Sequence, residues 1–169
     1  MATIIKAPNP LQDGFSVFLA GSIEMGVADN WQARVERGLA RQDIIIYNPR
    51  RDDWDASWVQ SIDNPMFREQ VEWELSALER ADVVAMYFDP TTKSPISLLE
   101  LGLFAQTGKM IVCCPDGFWR KGNVDIVCRR YEVVQADSLD VLVAHVLSEC
   151  AVTDDRPRRF TGTGRFTIR

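Results

Sequence analysis

Histidine is nearly absent from this chain of 169 residues, with His145 the only one. Cys113, Cys114, Cys128 and Cys150 fall at no metal-type spacing. Neither a metal centre nor any other cofactor is therefore expected. Basic residues are in deficit: 19 Lys and Arg against 24 Asp and Glu give a formal net charge of -5 and a pI near 4.9. General nucleic-acid binding and attachment to an anionic membrane need dense Lys/Arg surfaces, so neither is expected. Long apolar runs are missing as well. No stretch approaches the roughly 18 residues of a membrane span. Met1 to Phe15, broken by Pro8, Pro10 and Asp13, has no apolar core of a secretory signal. The adjacent Cys113 and Cys114 would point to opposite faces of a strand. All four cysteines read as reduced core residues, which suits a cytoplasmic protein.

What is present is an alternation of apolar runs with amphipathic segments. Phe15–Ala20, Ile44–Tyr47, Val83–Phe88 and Met110–Cys114 read as buried strands, with a small further strand over Tyr131–Val134. Between them, Asp29 or Asn30 caps a helix to about Gln42, with Trp31, Val35 and Leu39 on one face. Asn64-Pro65 opens a second, with Phe67, Val71, Leu75 and Leu78 aligned. Ser94-Pro95 opens a third, ended by Gly108. Val124–Arg130 and Ser138–Cys150 complete the set. This order predicts an α/β protein, a flavodoxin-like or Rossmann-like three-layer sandwich around a parallel sheet of about five strands. Residues 1–150 form one domain. The tail, 151–169, rich in arginine and without helical period, reads as a flexible terminus or as an arm packed on a neighbouring subunit.

In such sheets ligands bind at the carboxyl ends of the strands, where strand order switches. That directs attention to the turns at Gly21-Ser22, Asn48, Asp89 and Pro115. Gly21 offers a backbone a ligand can approach, and Ser22 a hydroxyl. The Gly-Ser turn has neither the third glycine of a dinucleotide fingerprint nor the Gly-Lys of a P-loop. Tyr47–Trp58 mixes Asn48, Arg50, Arg51, Asp52, Asp53 and Asp55 with Trp54 and Trp58. The tryptophans either stack on a planar ligand or anchor the loop to the core. Ser94-Pro-Ile-Ser-Leu-Leu-Glu-Leu-Gly102 is the strongest element. Glu100 stands among Leu98, Leu99, Leu101, Leu103 and Phe104, where a carboxylate is costly unless paired, hydrogen-bonded or used. Either it is satisfied by an Arg or Tyr, or it serves a reaction.

Taken together and in this order, Phe18-Leu-Ala-Gly-Ser22, Ala81-Asp82-Val-Val84 and Leu99-Glu100-Leu-Gly102 resemble the nucleoside 2-deoxyribosyltransferase superfamily, over roughly Phe15 to Glu149. The resemblance implies cleavage of the N-glycosidic bond of a nucleoside-like substrate, with transfer to another base or to water. Glu100 matches the nucleophile that forms a glycosyl-enzyme intermediate, and Asp82 an aspartate that orients or protonates the substrate. Ser94 sits where relatives contact sugar or phosphate. Asn123 and Asp125 fall in a segment that in relatives reaches the partner subunit's site, which implies a homo-oligomer. Gly21 and Ser22 line the pocket. Together with Asn48, Asp53, Trp54 and Asp89 these are the candidate binding residues. Relatives acting on monophosphates often carry an Arg after the Gly-Ser turn. Here Glu24 stands there and would repel phosphate, which favours a neutral nucleoside. Two other readings remain beside this one. One is a glycohydrolase acting on NAD or a modified nucleotide, and the other a non-catalytic module that senses a nucleotide or pairs with a protein.

Overall fold

The computed structural model describes residues 1–23, 30–52, 55 and 57–154. Its centre is a six-stranded, all-parallel sheet. The strands are β1 (Thr3–Lys6), β2 (Ser16–Gly21), β3 (Ile45–Asn48), β4 (Val83–Tyr87), β5 (Met110–Cys113) and β6 (Val134–Ala136). They lie in the order β1-β3-β2-β4-β5-β6. The period-2 pleat sorts their side chains into two cores. Phe18, Ala20, Tyr47, Val84, Met86 and Val112 face one side. Val17, Leu19, Ile46, Val83, Ala85 and Ile111 face the other. Cys113 and Cys114 divide between the two, as their adjacency predicts. Burial pushes these thiols up to about 11 and about 12, which leaves both protonated and unreactive.

Helices cover both faces. Helix α1 (Trp31–Leu39) and α5 (Leu139–Asp154) pack on the second core through Trp31, Val35, Leu39, Leu142 and Val146. Helices α2 (Pro65–Arg80), α3 (Pro95–Phe104) and α4 (Lys121–Arg130) pack on the first. Asn30 caps α1 by accepting from the Ala33 N–H, and Asn64 caps α2 by accepting from Met66 and Phe67. The far end of α2 is held by Lys109, whose ammonium donates to the carbonyls of Leu78, Glu79 and Ala81 at 2.6, 2.9 and 3.1 Å. A cation on those orphan carbonyls also complements the helix dipole.

Several elements differ from the sequence expectation. β1 is an additional edge strand, invisible to an apolar-run criterion because only Ile5 of its four residues is buried. The last strand is shifted to Val134–Ala136, since the chain after α4 turns through Glu132 at φ 55 before it can extend. α4 begins three residues earlier than expected, and α5 continues to Asp154, taking the first four residues assigned to the tail. In α2 the buried stripe is Gln70, Trp73, Ala77 and Leu78, whereas Leu75 is exposed. The large indole of Trp73 sets that rotation by packing against Phe18 and Tyr47.

Strand order reverses between β2 and β4, so the topological switch point of this sheet lies above Gly21 and Tyr87. The two strands meet there without room for a side chain. Gly21 has φ +133, and a Cβ on it would stand 2.1 Å from the Tyr87 carbonyl oxygen. The sequence reading gave that space to a ligand, but the neighbouring strand occupies it. Gly21→Ala is expected to cost about 3 kcal/mol or more through strain and backbone displacement. Urea unfolding measures this, and a loss below ~0.5 kcal/mol would contradict the packing described.

Candidate active site

The chain leaving β2 is tied to the chain leaving β4. The Ser22 N–H donates to the Tyr87 carbonyl (3.0 Å), and the Ser22 hydroxyl accepts from the Asp89 N–H (2.8 Å). The hydroxyls of Ser22, Thr92 and Ser94 form a closed triangle with sides of 2.5, 2.8 and 3.0 Å. Ser94 stands at the N-cap position of α3, yet its side chain makes no capping bond. It is held instead at φ 44, ψ 55, a left-handed conformation that is strained for a non-glycine residue. Its hydroxyl serves the triangle rather than the helix end. Asp89 is buried and accepts from the backbone and hydroxyl of Thr91, which shapes the turn into α3.

From this anchored start α3 carries Glu100 to its buried side, on the sheet face that α2 also covers. Glu100 is 8% exposed and makes no hydrogen bond or ion pair among the described residues. The charge that acts on it is that of Glu74 of α2. Burial first, and then the charge of Glu74, pushes the Glu100 carboxyl up to about 8. Burial raises Glu74 to about 6, against the opposing effect of a hydrogen bond from Gln70. Near neutral pH the two carboxyls therefore hold one proton between them, carried mainly by Glu100, and a shift of that proton to Glu74 leaves Glu100 as the anion. Gln70 donates from Nε2 to Glu74 Oε1 (2.8 Å) and to the Pro49 carbonyl (2.9 Å) beyond β3. Its own Oε1 is buried with no partner.

The remaining sequence candidates separate. Asn48 is consumed within the scaffold, its amide donating to Glu36 (2.6 Å) and its oxygen accepting from the Arg50 N–H (2.8 Å). Asp53, Trp54 and Glu24 lie outside the described residues. Trp58 covers the Arg51 guanidinium at 5.2 Å, and Arg51 also pairs with Glu69 at 3.2 Å. Trp58 thus packs against its own loop. Asn123 lines a mostly apolar cleft of about 160 Å³ between α3 and α4, together with Leu98, Leu101, Gly102, Val124 and Val127. Asp125 accepts from Lys121 and Gln135. No hydrogen bond joins either residue to the carboxylate pair.

Asp82 is a correction. It precedes β4 at the amino edge of the parallel sheet, opposite the switch point, and its carboxylate accepts from the backbone and hydroxyl of Ser16 at 2.8 and 3.2 Å. It fastens the entries of β2 and β4 and is not brought to the substrate side. The acidic side chain that was not among the candidate site residues is Glu74. Its signal was the spacing of Gln70, Trp73, Glu74, Ala77 and Leu78, which form one helical stripe once Trp73 is placed inward. Among the described residues no group of three His, Cys, Asp or Glu side chains could hold a metal ion, and no helix is long and apolar enough to cross a membrane.

A parallel α/β sandwich with a hydroxyl-lined switch point and a buried carboxylate pair is the frame of a small-ligand site. The chain belongs to a family described as nucleoside 2-deoxyribosyltransferase like, whose model matches residues 14–118. That span includes the Gly21 turn, Glu74, Ser94 and Glu100, and it ends before α4. The fold is similar to the crystal structure of a conserved protein from Enterococcus faecalis V583, with a TM-score of 0.58 and 12% identity over 80% of this chain and 98% of that one. No protein of curated function matches the chain.

The carboxylate pair predicts an unusual stability profile. In the folded protein Glu100 keeps its proton to about pH 8, while in the unfolded chain it ionises near its ordinary 4.5. The folded state thus binds more protons between those limits, and stability falls as pH rises through that window. Glu100→Gln is expected to be about neutral at pH 5 and stabilising at pH 8. Melting temperatures across that range test this, and a gap between variant and wild type that stays constant with pH would contradict it.

Proposed function

We propose that the protein cleaves the N-glycosidic bond of a nucleoside, with Glu100 as nucleophile and Glu74 as acid. The pair's proton rests mainly on Glu100 and must first pass to Glu74; the ionised Glu100 then attacks the anomeric carbon as the bond to the base breaks, and the base leaves with the proton from Glu74. A glycosyl ester on Glu100 remains. Glu74, now a base, deprotonates water or a second nucleobase, which takes the sugar and frees Glu100. The observation that carries this reading is the buried carboxylate pair, with no salt bridge to it among the described residues. A binding module has no use for so costly an arrangement. The engagement of Arg50 with Gln32 and of Arg51 with Glu69 favours a neutral nucleoside over a phosphorylated one.

Incubation with nucleosides, mononucleotides and NAD, followed by chromatography of released base, is the decisive experiment. Glu100→Ala is expected to lower release by at least about two orders of magnitude with unchanged circular dichroism, and Glu74→Gln by roughly 10²–10⁴. The rate should follow a bell. Below about pH 6 both carboxyls are protonated and the nucleophile is lost, while above about pH 8 both are ionised and the acid is lost. Ligand binding without base release at any pH would support nucleotide sensing instead.

The active form proposed is a homo-oligomer joined through α3. That helix is apolar on most sides, and Ile96, Leu99 and Leu103 stand 60%, 59% and 57% exposed on it. Such a helix is normally covered. Light scattering should give at least a dimer at micromolar concentration, and Leu99→Glu with Leu103→Glu a monomer. A monomeric wild type would end this part of the reading.

A further inference from the structure

We propose that Gln70 is the residue that reads the leaving base, and that it selects a purine with an amino group at C6. The inference rests on the N-glycosidase reading above and adds to it the class of base. Gln70 and Glu74 lie one turn apart on α2 and are joined by a hydrogen bond of 2.8 Å, so the amide and the carboxyl are neighbours. Glu74 Oε1 accepts from Gln70, which leaves Oε2 to carry the proton delivered to the base. The Gln70 Oε1 is an acceptor with no donor among the described residues. A buried acceptor of this kind costs stability unless something supplies an N–H. Acceptor beside acid is the complement of one edge of adenine, where the N6 amine donates next to N7, which accepts. Protonation at N7 is also what allows a purine to leave.

The orientation of the amide is fixed. Nε2 donates to the Pro49 carbonyl, which can only accept, so turning the amide over would set two oxygens against each other. A 6-oxo purine, which presents acceptors at both O6 and N7, therefore meets the Gln70 oxygen with its own. Selection by a locked hydrogen-bonding group is stronger than selection by shape, because the wrong base leaves the buried partner unpaired.

The test compares three substrates that differ at C6 alone: 2′-deoxyadenosine (amine), 2′-deoxyinosine (carbonyl) and 2′-deoxynebularine (hydrogen). The full chain should favour deoxyadenosine over both others by at least roughly tenfold in kcat/KM. Gln70→Leu should bring the three within about threefold of one another, whatever the overall rate. Equal rates in the wild type would overturn the proposal, as would a preference that survives in the variant. The wild-type comparison needs no variant, so misfolding of Gln70→Leu leaves it decisive. A second arm separates this proposal from the reading beneath it. Calorimetry with free adenine and hypoxanthine requires no chemistry. Preferential adenine binding without base release would support base reading by Gln70 and sink the glycosidase assignment. Base release with equal binding of adenine and hypoxanthine, and equal rates for their deoxynucleosides, would do the reverse.

Discussion

Everything at the carboxyl edge of this sheet depends on how closely β2 and β4 approach at Gly21 and Tyr87. Because no side chain fits there, the Ser22 amide can reach the Tyr87 carbonyl and its hydroxyl can meet the Asp89 N–H. The indole N–H of Trp31 donates to the Ser22 carbonyl, which brings the start of α1 to the same point. That one turn then gathers Thr92 and Ser94 and fixes where α3 begins. Five residues later α3 presents Glu100. The position of the proposed nucleophile is thus inherited from a backbone contact between strands.

The carboxylate pair is a second, opposing constraint. Two buried acidic side chains, with no salt bridge to either among the described residues, destabilise the folded state at the upper end of the neutral range. The sheet offsets this with fully buried runs on both faces and with helix ends held by Asn30, Asn64 and Lys109. Strain at Ser94 belongs to the same economy, since a left-handed serine persists only where its surroundings dictate it.

How much of this was legible in the sequence varies with the physics of each element. β2, β4 and β5 were readable because both their faces are buried and their residues form continuous apolar runs. The 3.6-residue period of Trp31, Val35 and Leu39 gave α1. Glu100 stood out as an acid within an apolar helix. β1 was not readable, since an edge strand needs only one inward residue. Glu74 was hidden because α2 has two competing apolar stripes, and only the tertiary fit of Trp73 decides between them. Asp82 shows the limit of motif matching: a residue beside a strand tells nothing of which end of the sheet it serves until the strand direction is known. The Gly21 turn was correctly singled out, but its reason lies in the neighbouring strand rather than in a ligand.

Lys109, at the edge of the sheet remote from the switch point, has a consequence for stereochemistry. By clasping three carbonyls at the end of α2 it resists any slip of that helix along its axis. A slip of one residue would move Glu74 by about 1.5 Å relative to Glu100. In glycoside cleavage a change in carboxyl separation of roughly that size divides routes that retain the anomeric configuration from those that invert it. For the chemistry proposed, a lysine that never meets the sugar would guard the handedness of the product.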